Sequence, residues 1–351
     1  MLDAMTPKER KKAIAENRPY DRITHAFGDY VWYSASRVTG VKVSDFHLDA
    51  KTQIETMIAA YRLYGWDSIG VRLNIEEVLG ATFTYPEYRE PFISASVNWD
   101  GDAIDSLTIG DPKKHPHLAV FWQVIDSLFE EVGDEVPITI AFRGVFSASA
   151  AAVGTEKFLR FIIRQPDYVH RVLSKVLEQE IAFVESFAGY DIQFNISDPI
   201  ASGTVISPQQ YCKFVKPYQT KVFDAMTRVS GVKPIYHICG NTGRILRDMV
   251  ETGAGAISVD NLMDLDFVGE QLGADAMVVG NVDPSGSMLL GTPEVVRQDL
   301  RNCLKKGSKA KGGYLATFGC GLPLSTPPEN LTALFDAFRE YGKYPFDPDR
   351  L

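Results

Sequence analysis

Cysteine is scarce in this 351-residue chain: there are four, and no two are spaced as a disulfide framework would space them. Such usage fits a reducing compartment. No apolar run reaches membrane-spanning length although 45% of the residues are hydrophobic, so the expectation is a soluble globular protein with a sizeable core. Positive charge is also in short supply, with 36 Lys and Arg against 45 Asp and Glu and a formal net charge of -9. That balance argues against nucleic acid or an anionic membrane as partner. The first 17 residues hold Lys8, Arg10, Lys11 and Lys12 but no apolar segment behind them. They do not form a secretory signal, and a cytoplasmic location is expected.

What is present is a change of pattern near residue 67. Residues 1–66 read as helices and loops, including the stretch 50–64, where Ile54, Met57, Ile58 and Tyr61 recur at helical spacing. From Ser68 onward short β-like runs alternate with helical ones, at 69–73, 138–142, 192–196, 232–238, 256–259, 277–280 and 313–318. Alternation of this kind predicts parallel βα units. The fold expected is therefore α/β, a (β/α)8 TIM-type barrel over 67–351 with an N-terminal helical extension, residues 1–66, packed on it. Seven runs are one short, and the eighth is expected within 22–33 or within 92–109. Pro166 opens a long helix striped by Val169, Val172, Leu173, Val176, Leu177, Ile181 and Val184 and closed by Gly189. Ser207-Pro208-Gln209-Gln210 and Thr326-Pro327-Pro328-Glu329 read as capping boxes, and Thr292-Pro293 starts another helix.

In such a barrel the chemistry sits at the C-terminal ends of the strands. His237 and Cys239 lie two residues apart at the end of one run, so their side chains share a face. Cys320 ends another run. One imidazole and two thiols would hold a zinc ion with a fourth position open, as in catalytic zinc, whereas the plainer alternative is three buried and unconnected side chains. Asp198, Asp260, Asn281 and Asp283 also fall at strand ends. Asp260 is a candidate metal-facing or supporting carboxylate, with a helix cap as its alternative. Asp198 and Asn281 are candidates for hydrogen bonds to substrate or cofactor, with loop capping as theirs. Glu76 and Glu77 either line the mouth or are solvated. Cys303, on a helical stripe with Val296, Leu300 and Leu304, belongs to the core, Tyr236 to packing, and Cys212 has no evident partner. Asp45-Phe46-His47-Leu48-Asp49-Ala50 comes close to the Asp-x-His-x-x-Gly loop of corrinoid-binding domains, but Ala50 stands where that loop has Gly.

The segments His237-Ile238-Cys239-Gly240-Asn241, Ile257-Ser258-Val259-Asp260, Gly280-Asn281-Val282-Asp283-Pro284, Gly291-Thr292-Pro293-Glu294 and Phe318-Gly319-Cys320-Gly321 together resemble the uroporphyrinogen decarboxylase superfamily. Residues 201–208 are similar to its segment after the fourth strand. Within it the match is to the zinc methyltransferases that pass methyl groups between a corrinoid protein and an acceptor such as coenzyme M. The resemblance implies zinc on His237, Cys239 and Cys320, with Asp260 standing where a longer Glu can occupy the fourth position. It implies cobalamin carried by a separate corrinoid-binding protein, a small methyl donor or acceptor of thiol, methyl ether or methylamine type, and a possible homodimer. The arginine-rich N-terminal motif of the decarboxylases proper is absent between Pro19 and Arg37. Two alternatives stand beside this reading: a metal-free decarboxylase of a tetrapyrrole, and a non-catalytic corrinoid adaptor in which zinc is structural.

Overall fold

A computed structural model describes residues 3–29, 39–99, 101–104 and 110–351. All seven expected strands form: β1 (Ile69–Arg72), β4 (Ile138–Arg143), β5 (Ile192–Ser197), β6 (Ile235–Ile238), β7 (Ala256–Val259), β8 (Met277–Val282) and β9 (Tyr314–Phe318). They make one parallel sheet in the order β1-β4-β5-β6-β7-β8-β9, each joined to the next through an outer helical segment. Both faces are covered, which is why the strands read as Val- and Ile-rich runs without alternation. β6 begins at Ile235, later than the apolar run, because Pro234 has no N–H for the ladder and Val232 is exposed.

The gap between β9 and β1 is occupied by residues 24–29. The Ala26 N–H donates to the Ala316 carbonyl at 2.9 Å, and Thr317 Oγ1 donates to the Ala26 carbonyl at 3.1 Å. On the other side Asp29 accepts from Ser68 Oγ at 2.8 Å and from Thr139 Oγ1 at 2.6 Å. A Cβ on Gly28 would lie 2.0 Å from the Ser68 carbonyl oxygen, so the chain passes β1 where only glycine fits. Of the two places proposed for the eighth strand, the earlier one sits at the sheet edges. Its end, residues 30–33, lies outside the described residues. In the later one, β3 (Phe92–Ala95) pairs antiparallel with β2 (Thr82–Thr84) as a separate ribbon, and residues 100 and 105–109 lie outside the described ones.

The N-terminal segment is tied in by charge. Arg10, wholly buried, binds Asp21 at 2.6 Å, Asp67 and the Met5 carbonyl. Arg22 binds Asp67 and Asp3, each at 2.6 Å, and Asp3 also holds Arg339 of the last long helix at 3.0 Å. Among the outer helices, Pro166–Glu185 buries its expected stripe but stops before Gly189, which takes a positive φ of 92° in the turn beyond. Ser207 and Gln210 form the expected capping box. Thr326 does not: the helix starts at Pro328, and the Thr326 hydroxyl donates instead to the Pro323 carbonyl at 2.7 Å. The helix begins one residue later than the pattern predicts, with Pro327 as its N-cap, so Thr326 lies outside the first turn. Among the described residues no helix is long and apolar enough to cross a membrane.

Candidate metal centre

β6 places His237 between Ser197 on β5 and Ser258 on β7. The buried ring turns its Nδ1 to Ser258, 3.1 Å from Oγ and 3.2 Å from the carbonyl oxygen. A carbonyl oxygen can only accept, so Nδ1 carries its N–H towards Ser258 and Nε2 faces the other side of the ring. Nε2 lies 3.2 Å from Cys239 Sγ, and that sulfur lies 3.3 Å from Cys320 Sγ. The three donor atoms fall within 4.8 Å of one another, the one such group of His, Cys, Asp or Glu among the described residues. Residues 81 apart in sequence are thus neighbours in space.

Two glycines make this approach feasible. Gly240 turns the chain after Cys239 with φ 75°, and its N–H donates to Asp260 Oδ2 at 2.8 Å. Before Cys320, a Cβ on Gly319 would stand 2.3 Å from the Asn261 backbone nitrogen, so the end of β9 reaches the loop after β7 only because no side chain intervenes.

The two thiols are partly exposed and not joined as a disulfide. The contact between the two sulfurs raises the Cys239 pKa and lowers that of Cys320, with His237 adding to the second effect. One imidazole nitrogen beside two cysteine sulfurs is a donor set that zinc takes. Around a tetrahedral zinc such ligand atoms sit roughly 3.5 to 3.8 Å apart, given bonds of about 2.0 to 2.3 Å. The observed spacings are close to those, so the residues fit the ion.

The other candidates are not part of this group. Asp260 spends both oxygens on backbone, Oδ2 on Gly240 and Oδ1 on the Leu262 N–H at 3.0 Å. It braces the loop that carries Cys239. Asn281 braces Asp260 in turn, donating from Nδ2 to the carbonyls of Asp260 at 3.1 Å and Met263 at 2.7 Å. Asp198 faces the outer helices: Oδ1 accepts from the Ser147 N–H at 2.8 Å at the start of the helix Val145–Val153, and Oδ2 from the Tyr236 hydroxyl at 3.3 Å. Burial lifts its pKa to about 6 despite these bonds. Asp283 caps a turn, accepting from the N–H groups of Ser285 and Gly286.

Glu76 and Glu77 are neither solvated nor idle. Glu76 is buried against Arg143 at the end of β4, and Glu77 accepts from the Tyr85 hydroxyl at 2.6 Å. Cys303 lies in the core, and Cys212 sits on the surface 3.4 Å from Asp248. His47 is in the helix Val43–Leu48, not in a ligand loop. Sequence reasoning passed over Ser258 and Gly319. Their signal was position: Ser258 precedes Asp260 by two on β7, in line with His237, and Gly319 stands next to a candidate ligand.

Comparison with known proteins follows the same line. The uroporphyrinogen decarboxylase (URO-D) family profile matches residues 6–341. The methylcobamide:CoM methyltransferase MtbA of Methanosarcina mazei is 28% identical over 346 residues, covering 96% of this chain and 98% of that protein. A uroporphyrinogen decarboxylase of Psychromonas ingrahamii is 27% identical over 278 residues, 76% of each chain. Among solved structures, a methyltransferase from Methanosarcina mazei superposes with a TM-score of 0.83 at 23% identity, over 96% of this chain and 99% of that one. That likeness speaks for a shared α/β fold. With its parallel sheet, its strand-end site and a profile match across nearly its whole length, the chain belongs to the uroporphyrinogen decarboxylase family.

Proposed function

We propose that this chain is a zinc-dependent methyltransferase that moves a methyl group between a small substrate and the cobalt of a separate corrinoid protein. It is an enzyme of methyl transfer, like the methyltransferases that it resembles from end to end. The observation that carries the zinc reading is the convergence of His237 Nε2, Cys239 Sγ and Cys320 Sγ within 4.8 Å, with Asp260 engaged elsewhere and a fourth position left to substrate. Bound there, zinc would supply a Lewis acid that lowers the pKa of a substrate thiol or polarises an ether or amine heteroatom.

The chain's own residues have definite tasks. His237, Cys239 and Cys320 hold the ion, Ser258 fixes which ring nitrogen faces it, and Asp260 with Asn281 keeps the Cys239 loop in place. Two thiolates and a neutral imidazole bring the formal charge of the site near zero, so a substrate sulfur held beside them keeps its electron density and stays nucleophilic. We also propose that residues 24–29 stand where the eighth strand of a (β/α)8 barrel would, which makes the N-terminal segment part of the barrel wall.

The purified protein is expected to contain one zinc per chain by elemental analysis, falling below a tenth in Cys239→Ala or Cys320→Ala together with activity. Activity is read from the colour change between Co(I) and methyl-Co(III) of a corrinoid partner mixed with thiols, methyl ethers or methylamines. A metal-free preparation with full activity overturns the reading. Carbon dioxide released from uroporphyrinogen would favour decarboxylation instead, and none is expected.

A further inference from the structure

We infer that Cys239 and Cys320 are also a reversible oxidation site: in the metal-free chain a peroxide joins them as a disulfide that removes two of the three metal donors. The inference rests on the same residues as the proposed function, but its test runs on metal-free protein, so the two fail separately.

The geometry is direct. The sulfurs are 3.3 Å apart, and a disulfide needs about 2.05 Å, so closure takes a movement of roughly 1.3 Å. Both side chains are partly exposed, which admits a small oxidant. Each thiol is flanked by glycine, Gly240 after Cys239 and Gly319 and Gly321 around Cys320, and a Cβ on Gly321 would meet nothing within 4 Å. After Cys320 the backbone therefore has room to give, although Gly319 before it packs against Asn261. The other two cysteines lack such a neighbour: Cys303 is buried against Asn281 and Asp299, and Cys212 contacts Asp248 on the surface.

The chemistry balances without further reagents. One sulfur, as thiolate, attacks an oxygen of hydrogen peroxide and displaces hydroxide, becoming a sulfenic acid. The second sulfur attacks the first and expels its hydroxyl as water. Overall two thiols and one peroxide give one disulfide and two waters; the sulfurs lose two electrons and the peroxide oxygens gain them. Zinc opposes the step by holding both sulfur lone pairs.

The test uses chelator-treated and zinc-loaded protein, each exposed to hydrogen peroxide, with free thiols counted under denaturing conditions and peptides mapped without reduction. In the metal-free chain the count should fall from four to two, with residues 239 and 320 joined in one peptide pair, and dithiothreitol should restore both thiols and zinc uptake. The zinc-loaded chain should keep four at the same exposure. Cys239→Ser should keep three thiols minus whatever Cys320 loses as sulfenic acid, with no internal link. Finding Cys239 or Cys320 oxidised to sulfinic acid without the link, or the link formed equally fast with zinc bound, overturns the inference. Protein that binds no zinc yet forms the link would leave it standing and sink the zinc function.

Discussion

A metal site is only as good as the atoms that aim its ligands, and in the proposed one three residues beside His237, Cys239 and Cys320 would do the aiming. Asp260→Ala frees the Gly240 N–H and with it the loop bearing Cys239; zinc affinity is expected to fall ~10- to 100-fold, measured by competition with a chromophoric chelator. An unchanged affinity would show that Asp260 serves only its own loop. Ser258→Ala should cost less, a few-fold, because the Ser258 carbonyl remains an acceptor for His237 Nδ1. Gly319→Ala places a methyl group 2.3 Å from the Asn261 nitrogen and must displace the end of β9. It should weaken zinc binding and also lower the melting temperature of the metal-free chain, because the clash is with backbone and overpacking of this kind costs about 1–3 kcal/mol. That His237, Cys239 and Cys320 could meet was legible in sequence because all three stand at the ends of apolar runs. For Asp198 and Asn281 it is the loop-capping alternative that the hydrogen bonds match, Asp198 holding the Ser147 N–H and Asn281 the carbonyls of Asp260 and Met263; which way a strand-end side chain points, into the mouth or back under the helices, is not set by sequence position.

At the scale of elements, the helix Pro166–Glu185 carries an acid in its buried face. Glu180 is fully buried, and neither carboxylate oxygen has a hydrogen-bonding partner among the described residues. Burial, then the negative charges of Asp198 and Glu76, raise its pKa well above the ordinary carboxylate value. The folded chain therefore keeps a proton that the unfolded chain releases above pH 4.5, and stability falls as pH rises from there by up to about 1.4 kcal/mol per unit. Glu180→Gln should remove that slope: near-neutral at pH 4.5, and more stable than the parent at pH 8 by thermal melting. A variant that melts below the parent at pH 8 would mean that the carboxylate is charged and needed. Such an acid is invisible to pattern reading, since Glu180 breaks an otherwise apolar stripe that was recognised by its Val and Leu residues. The strands were easier: a fully buried parallel strand announces itself as an apolar run, and only the run before β6 misled, through Pro234.

Over the whole molecule, a charged knot ties the N-terminal segment to the sheet. Arg10→Met takes from Asp21 its cation and leaves Asp67 with Arg22 alone; removing one partner of a buried pair costs about 3–5 kcal/mol. Chemical denaturation should register a loss of that order, and a loss under 1 kcal/mol would make the knot ornamental. Beside it His25 is wholly buried, and burial, reinforced by the charges of Arg22 and Arg10 against that of Asp67, lowers its pKa to about 3. The unfolded chain binds the proton first, so this contribution is complete above pH 6.5 and is lost as pH falls from 6.5 towards 3. The stability–pH curve should bend downwards on the acid side in the parent and flatten in His25→Gln. These contacts leave no mark in the sequence of the first 66 residues, because the partners of Arg10, Arg22 and Ala26 lie up to 291 residues away, at Asp67 and at Ala316 and Thr317.

The bond from Asp3 to Arg339 has a consequence for synthesis. While the ribosome is still making the chain, Asp3 can already meet Arg10 and Arg22, but neither Arg339 nor the Ala316 carbonyl that Ala26 binds has yet been added. The N-terminal segment therefore completes its docking only once residues 316–339 have emerged, and contacts of such long sequence separation form late.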